Sequence, residues 1–330
     1  TDSILHILEA YDLVPPVEPF VLNGRGVNNI ARGIHTGAGD FVLKTYQTQD
    51  NVAVIEYEHH LLSRIAQDGL PFAVPTPLRA RNGTTICGTP SGWHALFTWL
   101  AGTPGNAGEA THVVAAGQAL GALHQVVTQY PAEPRPGVVS FGDLDHIHPH
   151  VPNPLELFSR QHVHRRSSHV PLLRWWRTEV HALQAFVEHD YKALPTQIIH
   201  GDFVLGNLLF QAENLTAVLD WEFAVLDVRA MDVATLLISI LFANRVADLR
   251  SSTKLAGQSY RNFIQLTAEE IEALPWLIRL WNAVNLIWRV GQDFAADQKR
   301  PVQIDRLMRV QRTAHWLEHH ADDVTNAFSA

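Results

Sequence analysis

The chain has 330 residues, of which 46% are hydrophobic and 18% are charged, and its formal net charge is −8 at pH 7. This length predicts one large or two medium domains, and the negative charge without a basic run argues against a nucleic-acid-binding protein. Cys87 is the single cysteine, which excludes disulfides within the chain and cysteine-based zinc sites and favours a reducing compartment.

The longest apolar run, residues 233–243, is too short to span a bilayer. The first residues, Thr-Asp-Ser, do not begin a signal peptide. We therefore expect a cytoplasmic protein that has neither a membrane nor a nucleic acid as its partner.

The N-terminal region is predicted to be rich in strands. Residues 21–31 place Gly24 and Gly26 between apolar residues, which is typical of a hairpin whose backbone can approach a phosphate closely. A strand is predicted over 41–46, FVLKTY, where Lys44 follows two apolar residues as a phosphate-anchoring lysine does. The alternative is a lysine at a sheet edge that faces water.

A helix is predicted over residues 54–65, because apolar residues recur there at helical spacing. Glu58 lies in the middle of the apolar stripe, whereas Glu56 is expected to face elsewhere. A carboxylate among apolar residues requires a cation. We therefore predict that Glu58, rather than Glu56, pairs with Lys44.

The predicted strand over 92–100 runs into Gly-Thr-Pro-Gly at 102–105, where we place an interdomain hinge. Strands dominate before this point and helices after it, so we predict an N-terminal domain over 1–99 and a C-terminal domain over 100–330. Asp232 precedes a strongly apolar helix and is predicted to be its N-cap.

Histidine is frequent, with 19 residues in the chain. His146, His148 and His150 alternate, and His162 and His164 follow. Alternation could place three imidazoles on one face of a strand as metal ligands. The proline-rich surroundings favour a solvated loop instead.

Residues 198–222 carry three polar side chains, Asp202, Asn207 and Asp220, among residues typical of strands. The apolar runs 208–210 and 217–219 bracket a polar turn and predict a β-hairpin. Asn207 would lie just before the first strand of this hairpin and Asp220 just after the second. Such oxygen ligands suit Mg²⁺, which usually takes one or two carboxylates together with phosphate oxygens.

Asp202 lies five residues before Asn207, as in the catalytic-loop pattern H-x-D-x-x-x-x-N. In that pattern the aspartate accepts the proton of a hydroxyl group and the asparagine binds metal. The stretch therefore predicts a site for phosphoryl transfer.

With these residues in this order, the chain resembles the aminoglycoside phosphotransferase superfamily, which is related to the protein kinases and includes choline kinases and type II homoserine kinases. The most specific match is His-Gly-Asp at 200–202, with glycine where protein kinases have arginine. Further matches are Gly-Leu-Pro-Phe-Ala-Val-Pro-Thr-Pro at 69–77, Trp-Leu-Ala-Gly at 99–102 and Leu-Gly-Ala-Leu-His at 120–124.

The resemblance implies an α+β, bilobal protein-kinase-like fold: a nucleotide-binding N-lobe with an antiparallel sheet and one helix, and a mostly helical catalytic C-lobe. It implies ATP and Mg²⁺ as cofactors, with Asp202 as catalytic base, Asn207 and Asp220 as metal ligands, and Lys44, steadied by Glu58, on the phosphates. The remaining nucleotide contacts would come from Gly24, Gly26, Val42, Phe97, Trp99, Leu209 and Leu219.

Gly-Val-Asn-Asn at 26–29 and Gly-Leu-Pro at 69–71 resemble the homoserine-kinase branch. They favour a small hydroxylated substrate, an amino alcohol or a homoserine-like compound. Glu222, Asp143 and Asp145 could attract its ammonium group or be solvated surface. Two alternatives remain, a Ser/Thr protein kinase of the stress-response type and a nucleotide-binding module without catalysis.

Overall fold

Antiparallel strands form the sheet of the N-terminal region in the computed structural model, which describes residues 7–13, 17–20, 29–47, 51–90, 92–158, 169–241, 249–297 and 304–329. The strands are β1 (Val17–Phe20), β2 (Asn29–Thr36), β3 (Gly39–Tyr46), β4 (Cys87–Thr89), β5 (Gly92–Thr98), β6 (Thr103–Pro104), β7 (Thr196–Ile199), β8 (Leu208–Gln211), β9 (Asn214–Val218) and β10 (Val225–Val228). The helices are α1 (Val52–Ile65), α2 (Ala110–Val127), α3 (Val170–His189), α4 (Ala230–Leu241), α5 (Leu249–Arg261), α6 (Ala268–Ala296) and α7 (Ile304–Phe328).

The chain divides into two compact units. The first consists of residues 1–105, 134–138 and 207–223, and the second of residues 106–133, 139–206 and 224–330. Two distant segments therefore cluster with the N-terminal region. The division into domains at residues 99 and 100 stays a prediction.

The first unit contains a five-stranded sheet in the order β1-β2-β3-β5-β4, with antiparallel pairing throughout. Lys44 on β3 is paired with Ala31 of β2 on one side and Ala95 of β5 on the other. The strand is therefore internal, and the alternative that Lys44 lies at a sheet edge is wrong. Its neighbour Leu43 is buried in the core of this unit.

Helix α1 follows the sheet and begins after Asn51, whose side chain accepts a hydrogen bond from the N–H of Ala53 at 3.1 Å. An asparagine at this position satisfies one of the donors that a helix start leaves without a partner. The helix buries Val54, Leu61 and Leu62, as the apolar spacing predicts.

The hairpin predicted after the catalytic-loop pattern is formed by β8 and β9. It pairs Leu208 with Val218, and β6 adds a third strand against β8. Ala212 in the turn has a φ of 52°, so the chain reverses through a left-handed residue. This prediction is confirmed.

The second unit is mostly helical. Helix α6 starts with a capping box. The Thr267 side chain accepts a hydrogen bond from the N–H of Glu270, and the Glu270 side chain accepts one from the N–H of Thr267. Two buried carboxylates in this unit pair with arginines: Glu179 with Arg279 and Glu270 with Arg229, both at 2.6 Å. The predicted fold class, α+β with an antiparallel N-terminal sheet and a mostly helical C-terminal region, is confirmed.

Within the described residues, no helix has the length and apolar character needed to cross a bilayer.

Candidate active site

Lys44 and Glu58 form an ion pair inside the first unit. The Lys44 Nζ lies 2.9 Å from the Glu58 Oε1, and the side chains are only 14% and 4% exposed. Burial opposes ionisation of Glu58, but Lys44 and then Arg135 outweigh it, so the pKa of Glu58 lies below its usual value. The pairing predicted from the helical stripe is confirmed, and Glu56 is exposed.

Arg135 is a second cation at the same carboxylate, with its Nη2 at 3.6 Å from the Glu58 Oε2. The Arg135 Nη2 also donates to the carbonyl of Val54 at 3.0 Å, and its Nη1 donates to the carbonyl of Glu222 at 2.6 Å. Arg135 thus contacts both the helix of Glu58 and the turn that follows Asp220.

Glu222 belongs to this same charge cluster. Its carboxylate lies 3.9 Å from the Lys44 Nζ and accepts a hydrogen bond from the Asn29 side chain. The side chain is 15% exposed. The interpretation of Glu222 as solvated surface is therefore wrong, because it is a partner of Lys44.

Asn207 and Asp220 lie at the open end of the β8–β9 hairpin. The N–H of Leu219 donates to the carbonyl of Asn207 at 2.8 Å, which brings the two ends of the hairpin together. Asp220 has a φ of 65° and is exposed. A left-handed aspartate is uncommon, and such conformations cluster at functional sites.

Asp202 follows β7 in the second unit and is half-buried. Its N–H donates to the Nδ1 of His200 at 3.2 Å, so His200 braces the loop by hydrogen bonding. Gly201 has a φ of 81°, a conformation that favours glycine and turns the chain directly before Asp202.

One buried carboxylate fixes the backbone of this loop. Asp232 accepts hydrogen bonds from the N–H of His200 at 2.7 Å and of Gly201 at 2.8 Å. Its Oδ2 also lies 3.3 Å from the His124 Nε2, and the His124 Nδ1 is 2.9 Å from the hydroxyl of Tyr260. The N-cap prediction for Asp232 is wrong, because α4 begins at Ala230 and the carboxylate points to the loop.

The other described residues that are predicted to contact the nucleotide lie in the first unit. Val42 on β3 is paired with Phe97 on β5, Leu209 is buried on β8, and Leu219 follows β9. In this structure the N–H of Trp99 donates to the Asp40 carbonyl at 3.3 Å. The nucleotide roles of these residues stay predictions, and Gly24 and Gly26 lie outside the described residues.

Of the three alternating histidines, His148 and His150 have ring centroids 5.6 Å apart, and His146 has a different partner. His146 bonds to Asp143 at 2.7 Å, whereas His148 is buried with its ring 5.1 Å from that of Trp288. Among the described residues no group of three or more histidine, cysteine or acidic side chains could hold a metal ion. His162 and His164 lie outside the described residues.

Sequence reasoning missed the contacts of Arg135 and of His124. Arg135 lies between prolines in a segment without periodicity, and nothing in that pattern indicates a buried side chain. His124 lies four residues after Leu120 in the apolar face of α2. This position could have indicated that His124 makes buried hydrogen bonds, because a histidine on a buried helical face needs polar partners.

Comparison with known proteins identifies the class of enzyme. The model of the phosphotransferase enzyme family matches residues 22–265. The homoserine kinase of Rhizobium meliloti (strain 1021) is 29% identical over 280 residues, which covers 84% of this chain and 80% of that protein.

Two solved structures share the fold. The microcompartment-associated aminopropanol kinase superposes with a TM-score of 0.70 at 17% identity and covers 99% of both chains. The amicoumacin kinase hAmiN in complex with AMP-PNP, Ca²⁺ and Ami has a TM-score of 0.68 at 16% identity, covering 96% of this chain and 92% of its own.

The chain belongs to the phosphotransferase enzyme family. The predicted membership of the aminoglycoside phosphotransferase superfamily is thereby confirmed. The predicted enzyme class, a kinase with an alcohol group as acceptor, is confirmed as well.

Proposed function

We propose that this chain transfers the γ-phosphate of ATP, bound with Mg²⁺, to a hydroxyl group of a small amino alcohol or homoserine-like metabolite. The observation that carries the proposal is the buried ion pair between Lys44 on the central strand of the sheet and Glu58 on α1. The names of the relatives support a small acceptor that has both an amino and a hydroxyl group, since they include homoserine kinase and aminopropanol kinase.

The first unit supplies the groups that fit a metal-bound nucleotide. A buried, charged lysine suits the α- and β-phosphates, and Lys44 remains protonated because Glu58 raises its pKa against the effect of burial. Asn207 and Asp220 would hold Mg²⁺ at the end of the hairpin, and an amide oxygen with a carboxylate is a donor set that Mg²⁺ accepts. The ion would neutralise charge on the phosphates.

The second unit supplies Asp202 as the base that orients the acceptor hydroxyl and takes its proton. Its side chain is half-buried and thus accessible to a substrate. The loop backbone is fixed by Asp232, so little reorganisation is needed when the acceptor binds.

The test is phosphate transfer from Mg-ATP to homoserine, 1-amino-2-propanol, choline, methylthioribose and an aminoglycoside, with Asp202→Asn beside the wild type. We expect transfer to one acceptor and a loss of about 10²-fold or more in kcat for Asp202→Asn, the usual range for a general base. Asp305→Asn, at an exposed position of α7, is the matched control and should leave kcat unchanged.

Transfer to a protein mixture but to no metabolite would contradict the small acceptor and favour the protein-kinase alternative. Binding of Mg-ATP without transfer to any acceptor would favour the non-catalytic module. A chain that binds no nucleotide would overturn the whole proposal.

A further inference from the structure

The segment 134–138, Pro-Arg-Pro-Gly-Val, belongs to the first unit although the residues on both sides of it belong to the second. Arg135 within it is 4% exposed. Burying a guanidinium group is costly unless its donors are satisfied.

The guanidinium group of Arg135 holds two backbone carbonyls that belong to different elements. Nη1 donates to Glu222 at 2.6 Å and Nη2 donates to Val54 at 3.0 Å. Val54 is one turn before Glu58 on α1, and Glu222 is two residues after Asp220. One rigid, planar guanidinium group therefore bridges the helix of Glu58 and the turn of Asp220.

The same group also completes the charge balance of Glu58. Lys44 lies at its Oε1 and Arg135 lies 3.6 Å from its Oε2. Under the proposed function Lys44 must bind phosphate oxygens, and its attraction for Glu58 is then shared with the nucleotide. A buried carboxylate deprived of its cation is strongly unfavourable, and Arg135 stays beside Glu58 when Lys44 takes up this second partner.

We propose that Arg135 is a positioning residue for the nucleotide side of the reaction: it keeps Glu58 ionised and in place while Lys44 engages the phosphates, and it fixes the turn that carries Asp220. This inference rests on the proposed function. A lysine cannot replace it, because a single ammonium group lacks the planar fork of donors that reaches two carbonyls and a carboxylate.

The test is steady-state kinetics of Arg135→Ala and Arg135→Lys, with KM and kcat measured separately for ATP and for the acceptor. We expect the KM for ATP to rise, so that kcat/KM for ATP falls by about 10- to 100-fold in both variants, the size of effect that a small misplacement can have. The KM for the acceptor should stay within about twofold of the wild type, since the acceptor contacts are not touched.

Chemical rescue separates positioning from folding. Guanidinium ion at millimolar concentration should restore part of the activity of Arg135→Ala, whereas equal concentrations of ammonium or urea should not. Arg279→Ala is the matched control, because Arg279 is also an ion-paired, largely buried arginine, in the second unit. It should lower the unfolding temperature without a selective change in the KM for ATP and without rescue.

An active wild type whose Arg135→Ala and Arg135→Lys variants keep the ATP parameters would overturn the inference, as would an equal rise in the KM values for ATP and for the acceptor. If Arg135→Ala does not fold, the decision rests on Arg135→Lys, which keeps the charge and the aliphatic stem. A wild type that transfers phosphate to no acceptor would instead overturn the proposed function.

Discussion

In the first unit, Lys44 is surrounded by side chains of opposite and like charge, whereas in the second unit a single carboxylate holds the backbone beside Asp202. Two cations and two anions form the first arrangement: Lys44, Arg135, Glu58 and Glu222. The second relies on hydrogen bonds from two backbone N–H groups to Asp232.

The two arrangements differ because Lys44 and Asp202 have different roles in the proposed reaction. A lysine that must bind the negative charge of phosphates needs a balanced charge environment that keeps it protonated, which carboxylates provide. An aspartate that must meet a hydroxyl group at one distance needs a rigid backbone, which buried hydrogen bonds provide. Charge-removing substitutions should therefore affect the two units differently.

The largest expected effect is that of Glu58→Gln. Removing one partner of a buried ion pair costs about 3–5 kcal/mol, here because Lys44 and Arg135 lose their shared carboxylate. Urea unfolding would measure the loss of stability, and the KM for ATP should rise with it. Glu56→Gln, on the exposed face of the same helix, should change neither quantity. A Glu58→Gln variant as stable as the wild type would show that the charge cluster contributes nothing.

The next largest effect is a loss of stability at low pH in the first unit, caused by protonation of His59. Burial disfavours its charged form and, although Glu58 opposes this effect, lowers its pKa from 6.5 to about 4. The ring bonds to the hydroxyls of Tyr46 and Thr85. The unfolded chain therefore binds this proton more readily, and the contribution of His59 is complete above pH 6.5 and lost as the pH falls towards 4.

At 1.36 kcal/mol per pKa unit the loss amounts to about 3 kcal/mol. The free energy of unfolding, measured with urea between pH 4 and 7, should depend less steeply on pH for His59→Gln than for the wild type. His60→Gln, at the exposed neighbouring position, should keep the pH dependence of the wild type. The same pH dependence in all three proteins would mean that protonation of His59 does not destabilise the fold.

A smaller loss of stability is expected for Asp232→Asn in the second unit. The asparagine can accept one of the two backbone hydrogen bonds but leaves the other N–H without its acceptor, which costs about 2 kcal/mol. Because the loop of Asp202 then loses a constraint, kcat should fall while the KM for ATP stays unchanged, the reverse of the pattern expected for Arg135. Asp227→Asn is the control for stability, since Asp227 is also buried and hydrogen-bonded. A selective rise in the KM for ATP would contradict the contrast between the units.

The smallest effect is predicted for Tyr260→Phe. The substitution removes the hydroxyl group that bonds to the buried Nδ1 of His124 at 2.9 Å and should cost about 1 kcal/mol. Thermal unfolding would measure this, with a slight decrease in kcat. Tyr11→Phe removes a hydroxyl group of the first unit and serves as the control that leaves kcat unchanged. An unaltered unfolding temperature would show that the His124–Tyr260 bond does not stabilise the loop support.

Local patterns accounted for the elements that carry the candidate site. The spacing of apolar residues predicted α1 and singled out Glu58 over Glu56, because a helix repeats every 3.6 residues. The turn between two apolar runs predicted the β8–β9 hairpin. Both predictions depend on residues that are close together in the chain.

The structure corrected the interpretation of residues whose partners are distant in sequence. Asp232 was predicted to be a helix N-cap because it precedes an apolar helix. The N–H groups that donate to its carboxylate belong instead to residues 31 and 32 positions earlier in the chain. The sequence left Glu222 open as an ammonium-binding group or as solvated surface, and the second alternative is wrong because Lys44 and Asn29 contact its carboxylate within the first unit. No period in the sequence encodes such contacts.

Motif spacing and helical periodicity are properties of the chain, and they were enough to predict the family, the order of the five polar residues and the pairing of Lys44 with Glu58. The contacts of Arg135 with the charge cluster, and those of Asp232 and His124 that support the loop of Asp202, could be found only in the folded protein. A buried charge needs partners, and folding supplies them from distant parts of the chain: the carbonyl partners of Arg135 lie 81 and 87 residues away.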